Sequence, residues 1–173
     1  MGFKMQYQPD VWSCVATAFS MCFDVPVRKL IGMVGHDGSE ILWPRIPEPH
    51  NRRGFHLQEM VDVGFLLGFA VLIIESEITL YSNDPIDIRN VKSRLSISDY
   101  LEKCEGVILG VWPNGLRHAV AYSRGVCFDP SGDIYELTDD VTIRVFCPVL
   151  KSNHFSIVKD SLRIGVDGVS EKM

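Results

Sequence analysis

The chain has 173 residues, 46% of them apolar and 23% charged, and a formal net charge of −5. That length and balance fit one α+β domain spanning 1–173, with a core needing no metal or disulfide staples. The acidic balance argues against a nucleic-acid partner, since Arg52-Arg53 is too short a run to neutralise a phosphate backbone. The longest apolar run, GFLLGFAVLII (64–74), is too short to span a bilayer, and MGFKMQYQPD lacks the apolar stretch of a secretory signal. No membrane partner is therefore expected. Five cysteines (Cys14, Cys22, Cys104, Cys127, Cys147) with no CxxC make a poor disulfide framework or zinc site. They suit a reducing, cytoplasmic setting.

Residues 1–10 read as a polar, extended segment. Pro9 and Asp10 open a helical stretch whose apolar face is Val15, Ala16, Ala18, Phe19, Met21 and Cys22, with Ser13 or Asp10 as its cap. Pro26 ends it. A second helix is expected over 27–34, stopped by Gly35. Residues 36–54, punctuated by Gly38, Pro44, Pro47, Pro49 and Gly54, form a loop. HLQEMVDVGFLLG then gives a helix and FAVLII (69–74) a buried strand. Residues 76–96 are polar, with a turn at Asn83-Asp84-Pro85, and Ser98 starts a short helix. From 106 onward the pattern is strands: VILGVW (107–112), HAVAYS (118–123), VCFD (126–129), IYEL (134–137) and VTIRVFCPV (141–149), separated by turns at PNG, Arg124-Gly125 and PSGD. The tail is ragged from about 160. Helices first and sheet second make an α+β fold, with helices packed on an antiparallel sheet.

Chemistry concentrates around Cys14. A thiol attacks as thiolate, and a helix N-terminus favours that anion. Cys14 stands where the first helical turn is expected. Gln8, six residues earlier, supplies an amide that with the Cys14 backbone N–H can face a developing oxyanion. His118 lies at a strand start and Asp129 at the end of the next strand. The hairpin between them brings an imidazole and a carboxylate together, in the base-plus-orienter logic of nucleophilic catalysis. Trp12 and Ser13, beside Cys14, are candidates to contact substrate. Cys22, Cys104, Cys127 and Cys147 read as core residues. The loop residues His36, His50 and His56 have Glu40, Glu48 and Glu59 nearby but no HExxH or His-x-His spacing, so they read as solvent-exposed and no metal or other cofactor is expected. Trp12, Trp43 and Trp112 are candidates to line a cleft, with core volume at least as ready a reading for Trp112, and His154 has no evident partner.

QPDVWSCVATA (8–18), GFHLQE (54–59) and the segment HAVAY…FDPSG (118–132) together resemble the papain-like cysteine peptidases. The nearer likeness is to the bacteriocin-processing, double-glycine leader peptidases and their standalone relatives. The glutamine-to-cysteine interval and the order Gln, Cys, His, Asp match that pattern. The resemblance implies a papain-like fold and a thiol peptidase acting on a protein or peptide. It also implies Cys14 as nucleophile, His118 as base, Asp129 as orienter and Gln8 at the oxyanion. The run Val15-Ala16-Thr17 departs from the small or polar residues that usually follow the cysteine. The same groups can serve a deamidase, transglutaminase or acyltransferase, and a papain-like module without turnover would act by binding alone.

Overall fold

The computed structural model describes residues 3–75 and 96–151. The polar segment from 76 with its Asn83-Asp84-Pro85 turn, His154 and the tail from 160 lie outside the described residues. The chain runs α1 (Cys14–Cys22), α2 (Val27–Val34), α3 (Leu57–Leu67), β1 (Phe69–Val71), β2 (Ile74–Glu75), α4 (Ile97–Lys103), β3 (Gly106–Val111), β4 (Arg117–Ser123), β5 (Val126–Phe128), β6 (Ile134–Glu136) and β7 (Thr142–Lys151). No helix among the described residues is long and apolar enough to cross a membrane.

The strands form an antiparallel sheet in the order β1-β7-β3-β4-β5-β6, with β2 also on β7. Alternation along the strands separates two cores. Val107, Ala119, Ala121, Phe128 and Cys147 face α1–α3, joining Phe19, Leu30 and Met60. Ile108, Val120, Tyr122, Cys127 and Phe146 face the other way, where residues of α4 cover them. Helices thus lie on both faces of the sheet. Small side chains set the spacing that matters most: Ala16 and Ala18 of α1 and Ala119 and Ala121 of β4 share one core and are all essentially unexposed. Such small residues let the helix lie close on the strand, which fixes the position of its first residue, Cys14.

Several expectations need correction. Residues 9–12 are turns, and the first helix begins at Cys14. Asp10 is the reason: its Oδ1 accepts from the Trp12 N–H at 3.2 Å and the Ser13 hydroxyl at 2.7 Å. This side-chain turn competes with helical backbone bonding. FAVLII is not one buried strand. It splits into β1 and β2, and Leu72 and Ile73 between them are exposed. The register is continuous, from Val71 opposite Val149 to Ile74 opposite Phe146. The missing rung falls at Pro148: Leu72 N–H donates to its carbonyl at 3.1 Å, but proline has no N–H to return. The cap of α4 is Ser96, not Ser98; the Ser96 N–H donates to Asp99 at 2.6 Å and the Ser96 hydroxyl accepts from the Asp99 N–H at 3.3 Å. By contrast, α2 ends at Gly35 in the left-handed conformation, as glycine permits.

The contact between β3 and β7 is close at Gly106, where a Cβ would lie 2.1 Å from the Cys147 carbonyl oxygen. Gly106→Ala should therefore push the two strands apart and lower stability by about 1–3 kcal/mol, read as an earlier urea midpoint. An unchanged midpoint would contradict this packing.

Candidate active site

The β4–β5 hairpin turns at Arg124-Gly125, with Arg124 at φ 51° and Gly125 at φ 88°. Its register pairs Ala121 with Phe128 and Ser123 with Val126. His118 therefore reaches the residue just past β5, Asp129. The His118 imidazole Nε2 donates to Asp129 Oδ1 at 2.8 Å, and both side chains are only 10% exposed. With Nε2 so engaged, Nδ1 is the nitrogen left for another partner. Cys14 lies on the other side, near enough to contribute to the electrostatics of the same imidazole. Cys14 and His118 line one cavity of about 480 Å³ with Val15, Leu109, Val111 and Ala119. Sequence positions 14, 118 and 129 thus come together through one helix start and one hairpin.

The electrostatics follow from those contacts. Burial disfavours a charged imidazole, yet the bond to Asp129 and the nearby Cys14 outweigh it and raise the His118 pKa to about 9. Burial likewise opposes ionisation of Asp129, but the His118 ring and the Ser131 hydroxyl and N–H hold its carboxyl well below the usual range. Those Ser131 bonds are 2.7 and 2.8 Å long. Desolvation pushes the Cys127 and Cys147 thiols up to about 12 and raises Cys22 as well. A buried thiol of that kind is a poor nucleophile at neutral pH.

At the helix start, Ser13 occupies the cap position but makes no side-chain cap bond. Its hydroxyl is turned to Asp10, and the residue is fully buried. Ser13 thus holds the loop rather than presenting itself to a ligand. The first N–H groups of α1, including that of Cys14, are left without a side-chain cap. Gln8 is tied to the same corner: its backbone N–H donates to the Pro130 carbonyl at 2.9 Å, next to Asp129. Its side-chain Oε1 is buried and has no hydrogen-bond partner among the described residues. Trp12 makes its contacts with the loop 36–54. Its indole N–H donates to the Asp37 carbonyl at 3.0 Å, and the Arg52 guanidinium sits 4.9 Å over its ring. It therefore ties the loop 36–54 to the segment before α1.

One residue beside the site, Tyr135, escaped sequence reasoning. Trp112 is more than filler: its ring meets that of His118 edge-on at 5.7 Å, and its indole N–H donates to the Tyr135 hydroxyl at 2.9 Å. Tyr135 in turn donates to Asp129 Oδ2 at 3.1 Å. A closed circuit of Trp112, Tyr135, Asp129 and His118 results. The alternating pattern of IYEL was its only trace. His36 is also not a solvent-exposed loop residue. It bonds Glu59 at 2.8 Å and stacks on Phe55, while Arg53 reaches Glu59 at 3.2 Å. Among the described residues no group of three or more His, Cys, Asp or Glu could hold a metal ion.

No protein-family description matches the sequence and no curated protein does. Among solved structures, a double-glycine motif protease from an AMS/PCAT transporter, crystallised in complex with the leader peptide, is similar over 87% of this chain and 92% of its own. The TM-score is 0.52 and the identity 11%. At that identity the likeness is one of fold: helices and an antiparallel sheet distantly related to a cysteine peptidase domain.

Tyr135→Phe should leave the Trp112 indole N–H without an acceptor and remove one donor from Asp129. The expected loss is about 1–3 kcal/mol by chemical denaturation. A loss under about 0.5 kcal/mol, typical of an uninvolved surface site, would contradict the circuit.

Proposed function

We propose that this chain is a papain-like cysteine peptidase that cleaves an amide or isopeptide bond through an acyl-enzyme on Cys14. The observation that carries the reading is the imidazole of His118, bonded to Asp129 at 2.8 Å and lining one cavity with Cys14, which stands at a helix start. The Cys14 thiolate attacks the substrate carbonyl carbon, and the charge moves to the carbonyl oxygen. In this reading the Cys14 N–H and the Gln8 side-chain NH2 are the donors to that oxyanion. Collapse breaks the C–N bond, and His118 gives its proton to the leaving amine. Water, relieved of a proton by the then neutral His118, hydrolyses the thioester and frees Cys14. Asp129 keeps the ring oriented and stabilises its charge.

A peptide substrate is supported by the neighbour's crystallisation with a leader peptide and by an open cavity at Cys14 wide enough for side chains. A thiol nucleophile works only when reduced, and all five cysteines are free. We therefore place the activity in a reducing compartment such as the cytoplasm.

Incubation with candidate proteins and mass spectrometry tests the reading. The wild type should yield peptide cleavage. Cys14→Ala should abolish it while the protein remains folded, and Asp129→Asn should slow it by at least ~100-fold. The rate should fall above about pH 9, because the His118 proton needed by the leaving amine is present below that value and lost above it. Cleavage that persists in Cys14→Ala would overturn the assignment.

A further inference from the structure

The carboxylate of Asp129 is held at both of its oxygens. Oδ1 accepts the His118 ring N–H at 2.8 Å, the Ser131 N–H at 2.8 Å and the Ser131 hydroxyl at 2.7 Å. Oδ2 accepts the Tyr135 hydroxyl at 3.1 Å. The donors differ in origin. Ser131 stands two residues on in the chain, within the local turn that Asp129-Pro130-Ser131 makes. Tyr135 comes by strand register. It pairs with Cys127, which puts it on the face of that residue and within reach of the carboxylate just past β5. Tyr135 is half-buried, while Ile134 and Glu136 on either side of it are exposed. Trp112, just past β3, donates its indole N–H to the Tyr135 oxygen at 2.9 Å and meets the His118 ring edge-on at 5.7 Å. The neighbouring strands β3, β4, β5 and β6 thus each supply one member, on the strand or just past it.

An ionised carboxylate only accepts, so each donor fixes one direction in its plane. The last torsion of an aspartate is broad and two-fold. Donors on Oδ1 alone leave the carboxylate able to rock about that torsion, and a donor on Oδ2 stops it. Burial and the neighbouring carboxylate hold the Tyr135 phenol well above its usual range, so it stays a proton donor. The Trp112 N–H, accepted by the phenol oxygen, polarises the O–H and strengthens its donation to Asp129. Tyr135 is not among the described residues that line the cavity at Cys14, so its influence on the reaction passes through Asp129. We propose that Tyr135 is a positioning residue of the peptidase reaction: its hydroxyl fixes the plane of the Asp129 carboxylate, and with it the angle at which the His118 ring meets Cys14 and the leaving amine. This deepens the peptidase reading above and rests on it.

A double-mutant cycle separates positioning from packing. The kinetics use the peptide that the wild type cleaves fastest in a mixed peptide library. With Asp129 in place, Tyr135→Phe should lower kcat about tenfold, with KM changed less than about twofold. In the Asp129→Asn background the same substitution should lower the residual kcat less than about twofold, because no carboxylate remains to be oriented. A packing role lowers both backgrounds alike. Proton NMR of the His118 Nε2–H gives a reading that needs no turnover: its exchange with solvent should quicken about tenfold in Tyr135→Phe. If Tyr135→Phe does not fold, Trp112→Phe decides. It keeps a ring beside His118 but removes the indole donor, and should lower kcat about threefold with Asp129 present and leave Asp129→Asn unchanged. Equal losses in the two backgrounds, or an unchanged exchange rate, would overturn the positioning role and leave the peptidase reading standing. A wild type that cleaves no peptide in the library would overturn the peptidase reading itself, and this inference with it.

Discussion

One imidazole between a carboxylate and a thiol organises this molecule. The 2.8 Å bond from His118 to Asp129 joins the start of β4 to the end of β5, and every other feature of the site is arranged about it. Burying that pair has a desolvation penalty, which only additional hydrogen bonds offset. Asp129 has them: two from Ser131 and one from Tyr135, itself bonded by Trp112. The turn that follows is closed by its own backbone, Asp129 N–H to the Asp133 carbonyl at 2.9 Å, and holds Gln8 through Pro130. Asp129 and Gln8 therefore share one anchor.

The sulfur arrives from the opposite side by packing. Helix α1 has few polar bonds to fix it. Its depth over the sheet is set by Ala16 and Ala18 near Ala119 and Ala121, and by Phe19, fully buried in the same core. The local sequence makes the helix begin where chemistry needs it. Asp10 gathers the Trp12 N–H and the Ser13 hydroxyl, ends the turn and leaves Cys14 as first residue with its helix uncapped. A core of small residues thus places the Cys14 sulfur, and a polar circuit places the His118 imidazole. The cavity forms where the two meet.

Much of this was legible because it depends on residue type and local spacing. Cys14 at a helix start, His118 at a strand start and Asp129 beyond the next turn follow from hydrophobic alternation and turn residues alone. Gly35 at the end of α2 and the Arg124-Gly125 hairpin are local in the same sense. The rest depends on partners distant in sequence. The break in FAVLII is caused by Pro148, some seventy-five residues away, which no window around 69–74 contains. The helix at 97 takes its cap from Ser96 because Asp99 answers it three residues on, a pairing that competed with Ser98. Trp12 reads as a wall for the site, but Asp37 and Arg52 pull it toward the loop 36–54. Tyr135 has no sequence signature, since it comes to Asp129 only through strand register.

The central claim is that His118 is held cationic at neutral pH by Asp129 and Cys14 together. Nitrogen NMR of the labelled His118 ring across pH 5–11 reads this directly. Both ring nitrogens should remain protonated at pH 7, with an apparent pKa near 9 that drops toward the ordinary histidine value in Cys14→Ser. A ring that titrates near 6.5 and ignores the substitution at Cys14 would contradict the account.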